Sequence, residues 1–252
     1  MGAIFRREFG AFFTSSIAYI FFGVFWLFSG YFFYAYCLYN GTTDMSGVFQ
    51  NMFLICVILI PILTMRLFSE EKKQKTEQGL LTAPVSLGAI VFGKYFAALM
   101  LYTIALLMPF VYALILSSFG VVEWGIVFAN FLALFLLGAA FIAVGTLVSS
   151  LTENQIAAAV VSFVLLMMLY MVDVIGNLID STKTLTLLHI GSLKLVFKLK
   201  WITDFLSTIS FYRKYYAITC GLFNVSTVVF YISVAVLFNY FTIRVFERRR
   251  WS

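Results

Sequence analysis

Residues able to do chemistry are concentrated between Arg66 and Lys94, in the stretch RLFSEEKKQKTEQGLLTAPVSLGAIVFGK. Glu70, Glu71, Lys72, Lys73, Lys75 and Glu77 fall within eight positions. Glu70 and Glu71 precede Lys73 and Lys75 in the order that supports a helix through pairs one turn apart. Leu80, Leu81, Pro84 and Val85 follow as an apolar end, and Pro84 stops the helix. The predicted element is a short polar helix with a hydrophobic tip. It suits docking to a partner; the alternative is a solvated loop that only anchors topology. At the far end Gly88, Gly93 and Lys94 reproduce the GxxxxGK part of a phosphate-binding loop. That signature requires Ser or Thr next, for magnesium, and a strand ahead of the loop. Here Tyr95 follows, the filling Ala89–Phe92 is apolar, and a long apolar run comes after. Nucleotide binding is not expected at this place, and the sequence holds no other Gly-rich loop.

The remaining reactive residues are scattered. His189 is the only histidine, and Asp180 and Asp204 do not stand at metal-ligand spacing from it. No HExxH, no Gly-x-Ser-x-Gly and no paired aspartates within an apolar run occur, so hydrolase or protease chemistry has no support. Cys37, Cys56 and Cys220 lie far apart with no CxxC pair, which suggests neither a disulfide framework nor a zinc site. Neither catalytic residues nor metal ligands are assigned. Asp173 is the one charge clearly inside an apolar run. It could line a translocation path, or reach toward Asn177 and water at the end of its helix.

The elements that must position these residues are membrane helices. Of 252 residues 63% are hydrophobic and 11% charged, with a mean hydropathy of +1.01. A soluble domain is about half apolar and a quarter charged, so lipid must be the principal solvent. Lipid makes every backbone polar group bond within its own segment, and the apolar runs are too long and continuous for barrel strands. An all-α polytopic protein with six transmembrane helices is predicted, in a single domain spanning residues 1–252. About 20 residues cross the hydrocarbon core. The spans are placed at Ile17–Leu38, Val48–Met65, Tyr95–Leu116, Trp124–Val148, Ile156–Leu178 and Val225–Val245. The first is too long for a cleavable signal and should remain as an anchor. Residues 1–16, with FRREFGAFFT at Phe5–Thr14, suit a short interfacial helix. Small residues in the fourth span, Gly138, Ala139, Ala140, Ala143 and Gly145, suit close helix packing.

The formal charge of +6 reads as basic flanks on lipid headgroups rather than as nucleic-acid binding. With the N-terminus inside, eleven Lys and Arg residues fall in inner segments and six in outer ones, all six of these in the fifth connection. Both termini are therefore expected in the cytoplasm. Two connections are too long to be simple turns: the inner segment 67–93 and the outer segment 179–224. In the second, Leu195, Leu199, Ile202 and Leu206 recur at helical spacing beside Lys194, Lys198, Trp201 and Phe205, predicting an amphipathic interfacial helix.

The inner segment also carries a resemblance. Arg66, Glu70–Glu71, Thr76, LLTAPVS from Leu80 to Ser86 and GKY from Gly93 to Tyr95 resemble the type-2 ABC exporter permeases, most closely the gliding-motility-associated ABC permease branch. Phe211, Tyr212, Gly221 and Val225 ahead of a last span closed by Glu247–Arg250 are similar as well. Two positions depart: Lys75 stands where many members have Gly, and Gly79 where a Leu is usual. The resemblance implies a half-transporter in a bacterial inner membrane, with short outer helices between spans five and six. It would dimerise with an identical or homologous permease chain to form an export path, powered by separate ABC ATPase subunits. ATP and magnesium would belong to those subunits and no cofactor to this chain. Arg66, Glu70, Glu71, Thr76, Glu77, Leu80, Leu81 and Pro84 would form the coupling helix that seats on the ATPase. The competing classes are an ATPase-independent secondary transporter or channel, and a non-transporting membrane scaffold. The first would show broken helices and ionisable residues at mid-membrane, and no span has a central Pro or a central charge.

Overall fold

A computed structural model of the chain describes residues 1–76, 78–79, 85–181, 186–190, 193–196, 210–222 and 224–250; within 173–181, the two strands and residue 250 it describes the backbone alone. Helix α1 (Gly2–Thr14) ends at Ser15, whose extended backbone turns the chain into α2 (Ser16–Phe33). Helix α2 widens into a π turn over Tyr34–Leu38. Then come α3 (Ser46–Thr64), α4 (Arg66–Lys73), α5 (Leu87–Leu106), α6 (Met108–Ser117), α7 (Trp124–Leu151) and α8 (Gln155–Ser181). Strands β1 (Thr186–Ile190) and β2 (Leu193–Val196) pair antiparallel, and α9 (Phe211–Thr219) and α10 (Val225–Arg250) complete the described chain.

Among the described residues six helical stretches are long and apolar enough to cross a membrane: Ser16–Leu38, Ser46–Lys73, Leu87–Ser117, Trp124–Leu151, Gln155–Val172 and Val225–Arg249. They coincide with the six predicted spans, and the protein is a helical membrane bundle. The second and fourth spans form its centre. Their most apolar windows are 72% and 78% buried, against 33%, 17% and 22% for the first, fifth and sixth. The latter three are sheathed in Leu, Val, Ile, Phe and Tyr on their open sides, as lipid-facing helices must be.

Glycine permits the closest contacts in the centre. A Cβ on Gly138 would fall 2.1 Å from the Tyr102 ring, and one on Gly145 2.1 Å from Thr64 Oγ1. These glycines let the α7 backbone lie against the Tyr102 side chain of α5 and the Thr64 side chain of α3, the close approach that small residues give membrane helices.

The third span departs from the simple rod read from its sequence. It begins at Leu87, eight residues before the predicted start at Tyr95, and breaks at Leu107 between α5 and α6. Pro109 causes the break. It has no N–H, so the Ala105 carbonyl four residues earlier loses its regular donor. Trp26 Nε1 donates to that carbonyl at 3.2 Å. Pro61 lies close to the end of α3, which gives way to α4 at Met65. Within the whole stretch Ser46–Lys73, Pro61 is near the middle, against the expectation that no span has a central Pro, whereas Pro109 lies in the later part of Leu87–Ser117.

Two further expectations are corrected. The polar helix predicted to run to Pro84 ends at Lys73, because Lys75 takes a left-handed backbone conformation (φ +58°). That conformation closes a helix and favours Gly, the residue many type-2 permeases carry at this position. In the fifth connection Leu195 lies in β2 rather than in an amphipathic helix; Leu199, Ile202 and Leu206 lie outside the described residues. The short helix between spans five and six is α9 instead.

Candidate functional site

Helix α1, helix α4, the start of α5 and the ends of α7 and α10 meet at one end of the bundle, here termed the proximal end. Its centre is Lys94, in the second turn of α5 and 1% exposed. Burial of a charge is costly unless it is paired and hydrogen-bonded, and Lys94 is both. Its Nζ donates to the Leu67 carbonyl at 2.7 Å and pairs with Glu71 at 2.9 Å and Glu8 at 3.2 Å. Arg7 joins the same two carboxylates, at 2.5 Å to Glu8 and 3.0 Å to Glu71. Two cations and two carboxylates thus close a neutral ring that ties α1, α4 and α5 together. The hydrogen bond that Arg7 donates to Glu8 and the charges of Glu8 and Glu71 raise the Arg7 pKa above its ordinary value, so its charge is permanent. The Phe68 ring lies 5.2 Å from the Lys94 ammonium and packs at 4.8 Å, tilted by 47°, against Phe246 of α10.

The neighbours of Lys94 have equally local reasons. Gly93 lets α1 lie directly on α5: a Cβ there would sit 3.0 Å from Ile4. Tyr95 donates its hydroxyl to the Ala139 carbonyl of α7 at 3.1 Å. The Gly93–Lys94–Tyr95 run, which imitates the end of a phosphate loop, is a three-way helix junction.

The start of α4 is fixed from α7. Helix α4 begins without a side-chain cap of its own, and Ser149 supplies one across the bundle. Ser149 Oγ accepts from the Phe68 and Ser69 amides at 3.0 and 3.2 Å and donates to the Met65 carbonyl at 2.9 Å. One hydroxyl so satisfies the orphan groups on both sides of the break between α3 and α4.

The family is decided by the whole arrangement of spans. The profile described as ABC-2 family transporter protein matches residues 39–251. The chain belongs to the ABC-2 transporter family. It is accordingly a membrane permease component of an ABC transporter, a family that implies an ATP-binding-cassette ATPase as partner. A comparison with curated proteins finds no significant match. Helix α1 lies ahead of the matched region, so the ABC-2 match includes Lys94 and Glu71 of the ring but not Arg7 and Glu8.

In this ABC-2 chain the residues singled out from sequence fall as follows. Arg66 and Glu70 pair with each other at 2.9 Å, one turn apart on α4, and the Arg66 guanidinium lies 5.9 Å over Phe12 of α1. Glu71 lies on the neighbouring face. It pairs with Lys94 and Arg7 rather than with the lysines of its own helix expected from the i,i+4 pattern. Thr76 follows the α4 end and donates its hydroxyl to the Glu71 carbonyl at 3.3 Å. A cavity of about 330 Å³ opens beside the ring and is lined by Arg66, Glu70, Gln74 and Thr76 among others. Glu77, Leu80, Leu81 and Pro84 lie outside the described residues, as does the side chain of Asp173. Arg7, Glu8, Lys94 and Ser149 are the residues that sequence reading missed. The signal available for Lys94 was a lysine close to the start of an apolar helix with three acidic residues on the preceding connection.

The opposite, distal end is closed by aromatic side chains. Tyr215 of α9 donates to the Phe49 carbonyl at 2.5 Å, and Tyr231 of α10 donates to the Phe211 carbonyl at 2.8 Å. Lys214 lies 4.2 Å over the Phe230 ring, and burial there lowers its pKa. Helix α9 is thereby bolted to the second and sixth spans.

Proposed function

We propose that this ABC-2 permease is half of an ATP-driven exporter of the gliding-motility-associated type, paired with a second permease chain and driven by separate ATPase subunits. Both termini and α4 face the cytoplasm of a bacterial cell, and β1, β2 and α9 face outward. The coupling segment is 67–93, with the coupling helix within 67–84; Arg66, Glu70, Glu71, Thr76, Glu77, Leu80, Leu81 and Pro84 form or support the contact with the ATPase. Asp173 contributes to the translocation path. ATP and magnesium are bound by the ATPase and not by this chain.

One observation carries this reading: α4 leaves the membrane end of the second span held on three sides, by Ser149, by Lys94 and by Arg7. A loop that merely anchors topology needs no such fixation, whereas a helix that passes force must be rigidly seated at its root. The positive-inside distribution assigns the same end to the cytoplasm. Apolar anchors usually outweigh rim charges at interfaces, so Leu80 and Leu81 provide most of the docking energy. Glu70 and Glu77 tune it against basic residues on the ATPase.

The test is pull-down of the ATPase by tagged permease, together with ATP hydrolysis by the complex. Leu80→Asp/Leu81→Asp is expected to release or uncouple the ATPase. Single reversal at Glu70 or Glu77 is expected to act weakly and to fade in high salt. The assignment fails if the double leucine change leaves binding and hydrolysis intact while changes elsewhere on the proximal end abolish them.

A further inference from the structure

At the proximal end α4 lies along α7 and α8, α1 lies along α5, and α5 packs in turn on α7 and α10. The ring of Arg7, Glu8, Glu71 and Lys94 joins α4 directly to α1 and α5. Within it Lys94 makes a contact that Arg7 does not. Its single ammonium touches both the Leu67 carbonyl and the Glu71 carboxylate, four residues apart on one face of α4. Two contacts on successive turns fix the rotation of a helix as well as its position. On α5 the same side chain is rooted beside Gly93, where α1 rests on the third span.

We propose that Lys94 is the positioning residue that carries displacement of α4 to the third span, so that α4, α1 and α5 move as one body. The breaks at Met65 and at Leu107 bound that body. Helix α3 gives way to α4 at the first, and α5 to α6 at the second. Neither break leaves its backbone unmet, since Ser149 serves one and Trp26 the other. Each is therefore a place where direction can change without exposing an unpaired group to lipid. The ring is neutral as a whole, so it can travel intact without moving net charge. This inference rests on the coupling reading above.

The experiment uses the complete permease–ATPase complex in lipid nanodiscs, with Cys220→Ser and spin labels at Lys73→Cys on α4 and Met100→Cys on α5. Both positions are exposed. A second pair, Lys73→Cys with Phe128→Cys on α7, reports motion of α4 against the bundle. Distances are measured without nucleotide and after trapping with ATP and vanadate. In the parent complex the 73–128 distance is expected to change on trapping while the 73–100 distance holds. In Lys94→Met, which keeps the stem and removes the ammonium, the nucleotide-free distances are expected to hold. On trapping, the 73–100 distance is then expected to change with the 73–128 distance. The exchange Lys94→Glu/Glu71→Lys is expected to restore the parent behaviour at least in part, and it serves also if Lys94→Met does not accumulate. A merely structural role would instead alter the 73–100 distance before nucleotide is added. If 73–128 moves but 73–100 stays fixed in Lys94→Met, the Lys94 inference is overturned and coupling through α4 stands. If the ATPase copurifies but 73–128 is unmoved by trapping in the parent, coupling through α4 fails, and the inference with it.

Discussion

Gly138→Ala adds one methyl group at one of the two tightest glycine contacts among the described residues. The new Cβ would lie 2.1 Å from Tyr102 Cε1, 2.4 Å from Cζ and 2.7 Å from the hydroxyl oxygen. Tyr102 cannot easily swing away. It is fully buried, its hydroxyl donates to the Leu134 carbonyl at 2.8 Å, and Cys56 Sγ lies 3.4 Å from the same oxygen. Either the ring leaves its site or α7 retreats from α5. Overpacking of this kind costs about 1–3 kcal/mol, and disrupting the buried hydroxyl contact adds about 1–2 kcal/mol. The total of roughly 2–5 kcal/mol corresponds to a fall in Tm on the order of 10 °C for a chain of this length. The assay is thermal unfolding of purified protein in detergent at a fixed scan rate, followed with a thiol-reactive fluorophore in a Cys220→Ser background. Cys37 and Cys56 are buried and become reactive only as the bundle opens. Adding Tyr102→Leu to Gly138→Ala should recover part of the loss, because the clashing ring is gone. An unchanged Tm in Gly138→Ala, or a purely additive further loss in the double variant, would refute the reasoning.

Other outcomes follow from the proximal end and from topology. Ser149→Ala removes the group that caps α4 from α7 and should lower stability by about 1–2 kcal/mol; hydrogen exchange should quicken at the Phe68 and Ser69 amides, and unchanged exchange there would count against the cap. Lys75→Gly should leave expression intact and raise the unfolding midpoint slightly, since Gly accepts φ +58° without the strain of about 1 kcal/mol that a side chain meets there; Lys75→Val should do the opposite. In intact cells an impermeant thiol reagent should modify Lys194→Cys and spare Lys73→Cys in a background without native cysteines, and the reverse pattern would invert the topology.

The spans were legible because lipid imposes one rule on every segment that crosses it, and composition alone reports compliance. Trp124 opens α7 and Val225 opens α10 at the residues read from hydropathy. The polar end of the bundle was legible only in part. Charge order along 70–75 predicted pairs within α4, yet Glu71 turns to Lys94 and Arg7, 23 and 64 positions away. Local patterns rank local partners, and they are silent on which helices a fold brings side by side. The burial of Lys94 under α1 depends on Gly93, whose role is a contact with Ile4 that no local pattern announces. The extent of α4 was misjudged for a simpler reason. Pro84 is the stop the sequence offers, whereas the backbone turns at Lys75, a residue with no intrinsic preference for that conformation.

The ring has a consequence for the order in which the protein is made. Arg7 and Glu8 leave the ribosome before Lys94, which follows Glu8 by 86 positions (94 − 8). At typical synthesis rates that interval is roughly 4–17 s. During it α1 has no third span to rest on. The 2.5 Å Arg7–Glu8 contact lets the two charges neutralise each other on the nascent helix. Seating of α1 therefore waits for the third span to insert.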